Sequence, residues 1–198
     1  MTRRTTALAA ALSLLPLGQP LLLGSTTALA TAAVVLSTQA AHAQSAGDYV
    51  NAGVEKGKSG DFQGAIADFT KAIEINPQDA DAYYYRGFAK YYLKDYQGEI
   101  ADYNKAIEIN PQYARAYNNR GNAKGELKDY QGAIADYTKA IAINPQYAYA
   151  YVNRGYAKLK LEDYQNACKD YKEAASLGHQ STAQWINSEK GAWCRNMR

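Results

Sequence analysis

The chain has 198 residues, with 22 basic and 19 acidic side chains and a formal net charge of +3. The charges are spread along the sequence without a basic block or stripe, which argues against a nucleic-acid or electrostatic membrane surface. The two histidines and two cysteines do not have metal-ligand spacing, and the sequence has no phosphate-binding loop or hydrolase motif. We therefore predict that the protein is not an enzyme and binds no metal or cofactor.

Residues 1–43 have the pattern of an export signal. Arg3 and Arg4 lie near the start of the sequence, and a long, largely apolar stretch without charges leads from them to the small-residue triplet Ala41-His42-Ala43. This pattern predicts a secretory signal peptide that is removed after Ala43. An uncleaved membrane anchor is the alternative, although prolines and glycines interrupt the stretch. We expect the mature protein in the periplasm, in the thylakoid lumen or outside the cell, without stable membrane insertion.

A repeat of fixed length follows. Asn-Pro-Gln recurs every 34 residues, and its prolines are Pro77, Pro111 and Pro145. Each unit is predicted to be helix A, a tight turn and helix B, in which an aspartate caps helix B and the Asn-Pro pair ends it. In the fourth unit Leu177-Gly178-His179 replaces Asn-Pro. The units are 46–79, 80–113, 114–147 and 148–181, followed by a predicted capping helix and tail over 182–198.

Several positions of the unit carry the same type of residue in every copy. Position 8 is glycine, position 27 is alanine, and positions 4 and 24 are aromatic. The glycines are Gly53, Gly87, Gly121 and Gly155. Together with the proline at position 32, these residues resemble the tetratricopeptide repeat over 46–181. The resemblance implies an all-α, right-handed superhelical solenoid in which helix A lines a concave groove and the two helices of a unit come closest at the glycine.

The second and third units differ at nine of their 34 positions, and six of these positions lie on helix A. Positions 2, 5, 9 and 12 form one stripe on a single helix face, because they step by three or four residues. In the resembled family this face lines the groove, so we predict that it binds a partner. Alternatively, the side chains fill the inside of the superhelix against each other. The predicted partner-binding residues are Asp81, Tyr84, Phe88, Tyr91, Arg115, Asn118, Asn122, Tyr149, Val152 and Tyr156.

Charged residues at two further places raise structural expectations. Glu99 stands where the other units have alanine, and we expect its carboxylate to turn outward or to pair with Arg86 or Lys90. Arginines at position 7 and aspartates at position 23 recur, and the first unit keeps the aspartate without the arginine. This favours ion pairs from one unit to the next. The expected pairs are Asp68–Arg86, Asp102–Arg120 and Asp136–Arg154.

The two cysteines, Cys168 and Cys194, lie near the C-terminus. In an oxidising compartment a disulfide is favoured over a metal site, and such a bridge would hold the capping helix on the last repeat. The alternative is two unpaired cysteines, with Cys168 buried in the core.

The features together predict a non-enzymatic scaffold that binds a protein or peptide in its concave groove in an extracytoplasmic compartment. The alternative is a structural subunit or assembly factor of an envelope or thylakoid membrane-protein complex. Tetratricopeptide repeats serve both purposes, so the resemblance does not choose between them.

Overall fold

The computed structural model describes residues 45–197. The prediction of a signal peptide over 1–43 falls outside the described residues. None of the helices in the described part is long and apolar enough to cross a membrane.

The described part of the chain is all-helical and contains no strand, which confirms the predicted fold class. Eight helices form four antiparallel pairs, one pair in each repeat, and two short helices follow them. The helices are α1 (Ala46–Lys58), α2 (Phe62–Ile75), α3 (Ala80–Tyr92), α4 (Tyr96–Ile109), α5 (Ala114–Glu126), α6 (Tyr130–Ile143), α7 (Ala148–Lys160), α8 (Tyr164–Ser176), α9 (Gln180–Asn187) and α10 (Ala192–Arg195).

The second helix of each unit begins and ends at the predicted signals. The Asp61 carboxylate accepts a hydrogen bond from the backbone N–H of Gly64, and aspartates cap α4, α6 and α8 in the same way. Asn76 follows the last residue of α2, and its side chain accepts from the Gln78 N–H in the turn that contains Pro77. The equivalent turns at Pro111 and Pro145 are also exposed.

Glycine at position 8 allows the two helices of a unit to approach closely. A Cβ atom added at Gly53 would lie 2.7 Å from the Phe69 ring, and one at Gly121 would lie 2.6 Å from the Tyr137 ring. Such distances leave no room for a side chain. The core is therefore built from aromatic rings at position 24, which pack against glycine and small alanines.

Buried ion pairs connect the two helices within each unit. The Arg86 guanidinium donates to both carboxylate oxygens of Asp102, at 3.0 and 2.6 Å, and Lys90 lies 2.8 Å from the same carboxylate. The third guanidinium nitrogen reaches the preceding unit, where it donates to the Thr70 hydroxyl at 3.1 Å. Two cations thus compensate one buried aspartate, and each arginine also connects neighbouring units.

The predicted pairing from one unit to the next is wrong. Asp68 pairs with Lys56 of its own unit at 2.6 Å, and Arg86 does not take it as a partner. Positions 7 and 23 face each other across the helix pair of one unit. The arginine therefore lies closer to the aspartate of its own unit than to that of the preceding unit. The same arrangement recurs in Arg120–Asp136 and Arg154–Asp170.

The turn between the helices of a unit requires a left-handed residue at position 15. In the first unit this residue is Gly60, with φ of 87°. The other units place a side chain there, in Lys94 (φ 60°), Lys128 (φ 65°) and Glu162 (φ 60°). A non-glycine residue in this region costs about 1–2 kcal/mol.

The C-terminal segment covers the last repeat. Cys168 of α8 and Cys194 of α10 form a disulfide with a Cα–Cα distance of 5.2 Å, and both cysteines are buried. The Trp185 ring packs edge-on against the rings of Tyr171 and Trp193. The predicted pairing and the capping role of this segment are therefore present in the structure.

Candidate binding groove on the inner helices

The first helices of the four units form one layer, which we call the inner helices: α1, α3, α5 and α7. Each inner helix contacts the next one, whereas successive second helices make no comparable contact within 45–197. Closer spacing on one side of a stack places that side on the inside of the curve. The inner helices therefore line the concave face, where the predicted stripe lies.

The first cleft of this face lies between α1 and α3 and has a volume of about 420 Å³. Its walls are aromatic: the Phe62 and Tyr92 rings stack in parallel with their centroids 4.2 Å apart, and Phe88 meets Tyr92 edge-on at 5.3 Å. Backbone at Gly57 forms part of the lining, and among the described residues Lys58 is the only charged one that lines it. The first cleft is an apolar pocket that is open to solvent.

The second cleft lies across α3, α5 and α7 and has a volume of about 430 Å³. Tyr91 and Tyr156 line it from α3 and α7. These two side chains are 40% and 53% exposed, so no neighbouring repeat covers them. Its remaining lining residues are mostly polar: Asn122, Gly125, Glu126, Lys128, Tyr130, Tyr137, Asn153, Ala157 and Lys160.

A third cleft of about 350 Å³ lies between α7 and the capping helix α9. Val152 and Tyr156 line it together with Trp185 and His179. The His179 ring nitrogen Nδ1 accepts from the backbone N–H of Thr182 and so caps α9. The C-terminal segment therefore extends the groove as well as covering the last repeat.

A network of asparagines supports the second cleft. The Asn153 amide nitrogen donates to the side-chain oxygens of Asn118 and Asn122, both at 3.1 Å. The Tyr137 hydroxyl donates to the same Asn122 oxygen at 2.8 Å. Because these bonds fix the amide planes, the free side of each amide has a defined direction. Asn118 itself is only 4% exposed, so it belongs to the support beneath the surface.

The aromatic residues of the second unit form another network toward the third unit. The Tyr84 ring stacks with Tyr113 at 5.0 Å, and its hydroxyl accepts from the Asn119 amide at 3.2 Å. Tyr113 in turn donates to the Asp81 carboxylate at 2.5 Å. Burial raises the pKa of the Tyr84 hydroxyl, which remains a neutral phenol at neutral pH. Tyr84 thus joins two repeats, and Asp81 holds the Tyr113 ring that stacks on it, while Arg115 nearby is exposed.

Glu99 lies beneath this network. It is 1% exposed, and its oxygen Oε2 has no hydrogen-bond partner within the described residues. Burial raises the pKa of Glu99 to about 8, with the Tyr103 hydroxyl acting in the opposite direction. The expectation that Glu99 turns outward or pairs with Arg86 or Lys90 is wrong, because both cations bind Asp102.

The predicted partner-binding residues thus fall into different surroundings. Phe88 lines the first cleft, and Tyr91, Asn122 and Tyr156 line the second. Tyr149 is 63% exposed and does not line the clefts. Its ring lies edge-on to the His179 ring, with the centroids 4.9 Å apart. The role of these residues in binding a partner stays a prediction.

Sequence reasoning missed several lining residues. Phe62 and Tyr92 form walls of the first cleft, and Asn153 and Lys128 line the second. Tyr92 and Asn153 occupy positions 13 and 6, which also vary between the second and third units, so this variation was the available signal. No cluster of metal-ligating side chains is found in residues 45–197.

Comparisons with known proteins agree with this architecture. Models described as "Tetratricopeptide repeat" match residues 114–147 and 136–169, and a "TPR repeat" model matches 58–94 and 89–128. No curated protein gives a significant match.

Solved structures with the same fold align with this chain. A crystal structure of MamA aligns with a TM-score of 0.67 and 25% identity, covering 74% of this chain and 86% of that one. The first TPR of Spaghetti (RPAP3), bound to the HSP90 peptide SRMEEVD, aligns with a TM-score of 0.59 and 26% identity, covering 60% and 94%. Since the family models together span more than half of the sequence, the chain belongs to the tetratricopeptide repeat family.

Proposed function

We propose that this protein is a non-enzymatic scaffold that binds an extended segment of a partner protein along the inner helices. The observation that carries the proposal is the exposure of four aromatic side chains on this face. Phe88, Tyr91, Tyr149 and Tyr156 are 40–63% exposed, although each is large enough to form a core. Aromatic side chains beside shaped clefts are the residues that contribute most to protein recognition.

The competing explanation is that the inner face packs against itself. It fits Tyr84 and Asn118, which form hydrogen bonds between repeats. It does not fit Phe88 and Tyr156, which line clefts that remain open. The RPAP3 repeat domain, which was solved with a bound HSP90 peptide, supports peptide binding as a use of this fold.

The chemistry of the groove also favours binding over catalysis. Its functional groups are mainly amides, phenols and lysine amines. Tyr137 has its pKa raised by burial, which makes its hydroxyl a poorer source of a nucleophilic oxygen at neutral pH.

We place the protein in an extracytoplasmic compartment. The disulfide between Cys168 and Cys194 supports this location, because such bonds persist in oxidising environments. The signal-like pattern of residues 1–43 supports it independently.

A permanent subunit of a larger complex is the second candidate. Leu93, Leu127 and Leu161 occupy the same position in successive turns and are 39–42% exposed. They recur at this position in the second, third and fourth units, and none of them lines one of the three clefts. A partner held at these leucines would not depend on the residues that line the clefts.

A random 12-residue peptide library displayed on phage tests the proposal. We expect the protein to enrich specific sequences, and the double variant Phe88→Ala/Tyr156→Ala to bind them at least about 10-fold more weakly. Tyr164→Ala is the matched control, because Tyr164 is 48% exposed but lies on α8, the second helix of its unit, and not on an inner helix. Failure to enrich any sequence, or equal binding by the double variant, would contradict groove binding and leave the subunit candidate.

A further inference from the structure

The size of the residue at position 12 alternates along the inner helices. The four residues are Gly57, Tyr91, Gly125 and Leu159. The first cleft is lined by Gly57 and the second by Gly125, and Tyr91 of the intervening inner helix forms part of the wall of the second. A small residue in every second unit therefore opens each of these two clefts.

Helix packing does not require these two glycines. A Cβ atom at Gly57 would meet nothing within 4 Å, and one at Gly125 would lie 4.0 Å from the nearest atom, the Tyr137 hydroxyl. By contrast, a Cβ atom at Gly53 or Gly121 would overlap an aromatic ring. Contact between helices therefore does not explain glycine at position 12, and the missing side chain leaves open space at both sites.

The two clefts differ in their chemistry. In the first cleft the lone lining cation among the described residues, Lys58, already pairs with Glu55 at 2.7 Å, so the cleft favours an apolar side chain. The second cleft contains Lys128 and Lys160, neither of which forms a salt bridge within residues 45–197, against the single carboxylate of Glu126. The Lys160 ammonium lies over the Tyr156 ring, 5.1 Å from its centroid, without a carboxylate partner in the described part of the chain. Among the described lining residues, the two lysines outnumber the single carboxylate of the cleft, which favours an acidic side chain.

The repeat geometry sets the distance between these two preferences. Packed helices lie about 8–10 Å apart, so clefts two inner helices apart are separated by about 16–20 Å. An extended chain advances about 3.3–3.6 Å per residue. A segment that occupies both clefts must therefore place its two side chains about five or six residues apart.

We propose that the groove recognises an extended peptide segment at two points. An aromatic or large aliphatic side chain enters the first cleft, and an acidic side chain, about five or six residues away, binds at the second. This inference rests on the proposed function and specifies its ligand.

Peptides enriched from the displayed library provide the probe. We expect them to pair an apolar and an acidic residue at this spacing, and synthetic copies to lose at least about 10-fold in affinity when either residue is replaced by Ala or Gln. Gly57→Leu fills the first cleft, so it should weaken binding and remove the effect of the apolar replacement alone. Gly125→Leu should do the same for the acidic replacement.

Circular dichroism and thermal unfolding check that both glycine variants fold, and Gly57→Ala and Gly125→Ala replace any that does not. Enrichment of peptides without the paired residues would overturn this inference while leaving peptide binding intact. The inference would also be overturned if the Gly57 variant and the Gly125 variant each lost the preference for the apolar residue and the preference for the acidic residue to the same extent. No enrichment at all would contradict the proposed function itself.

Discussion

The buried carboxyl of Glu99 makes the stability of this protein depend on pH in a defined window. In the folded protein the pKa of Glu99 is about 8, raised by burial from an ordinary value of 4.5. Between these two values the folded state holds a proton that the unfolded chain releases. Stability therefore falls as the pH rises through this window and becomes constant, for this group, above about pH 8.

The magnitude follows from the two pKa values. A pKa difference of one between the folded and unfolded states corresponds to about 1.4 kcal/mol. Glu99 therefore lowers the free energy of unfolding by about 3 kcal/mol more at pH 8 than at pH 5. The effect is large against a typical total stability of about 5–15 kcal/mol.

Comparison with Glu99→Gln isolates this contribution, because glutamine keeps the shape but does not titrate. Urea unfolding followed by circular dichroism at pH 5, 6, 7 and 8 gives the free energy of unfolding for both proteins. We expect the difference between them to change by about 3 kcal/mol across this range, in favour of the variant at high pH. Parallel curves for the two proteins would refute the assignment of a buried, protonated Glu99.

Three further changes test the repeat architecture. Lys94→Gly and Lys128→Gly relieve left-handed backbone at φ of 60° and 65°, and denaturant titration should show a gain of about 0.5–1 kcal/mol each; a loss would contradict the turn geometry. Gly121→Ala should lower stability by about 1–3 kcal/mol, since its Cβ would lie 2.6 Å from a tyrosine ring, and an unchanged melting temperature would contradict this contact. Replacing Cys168 and Cys194 by serine removes a 26-residue link, which should cost about 3–4 kcal/mol, and an unaltered unfolding curve would show that the bridge does not hold the cap.

Features that repeat in every unit could be predicted from the sequence. The aspartate caps, the Asn-Pro ends and the glycine contacts involve residues within one unit, and the repeated copies support each pattern. The partners of the arginines could not be predicted in the same way. A spacing that recurs in every unit fits pairs within a unit as well as pairs between units, and Asp68 without an arginine pointed to the wrong choice. Lys56 takes that role, because position 11 also faces the aspartate.

The groove could be predicted from the sequence only in part, for a different reason. Helical periodicity places Tyr84 and Phe88 on one face, but their exposure depends on the unit that packs beside them. Tyr84 meets Tyr113 at the end of its own unit and Asn119 of the neighbouring repeat, while Phe88 opens into a cleft. Such differences arise from stacking in three dimensions, which a pattern within one helix does not contain.

Stability and the proposed recognition use different positions of the same repeat. The arginine, lysine and aspartate that hold each helix pair are the same in the second, third and fourth units, with Arg120 and Asp136 as the central example. The residues that shape the clefts change from unit to unit, as position 12 does between Tyr91 and Gly125. Because the ion pairs lie between the helices and the clefts lie on the inner face, a side chain in a cleft can be exchanged without disturbing the pairs. If the groove binds a ligand as proposed, its preference can change on an unchanged stack of helices.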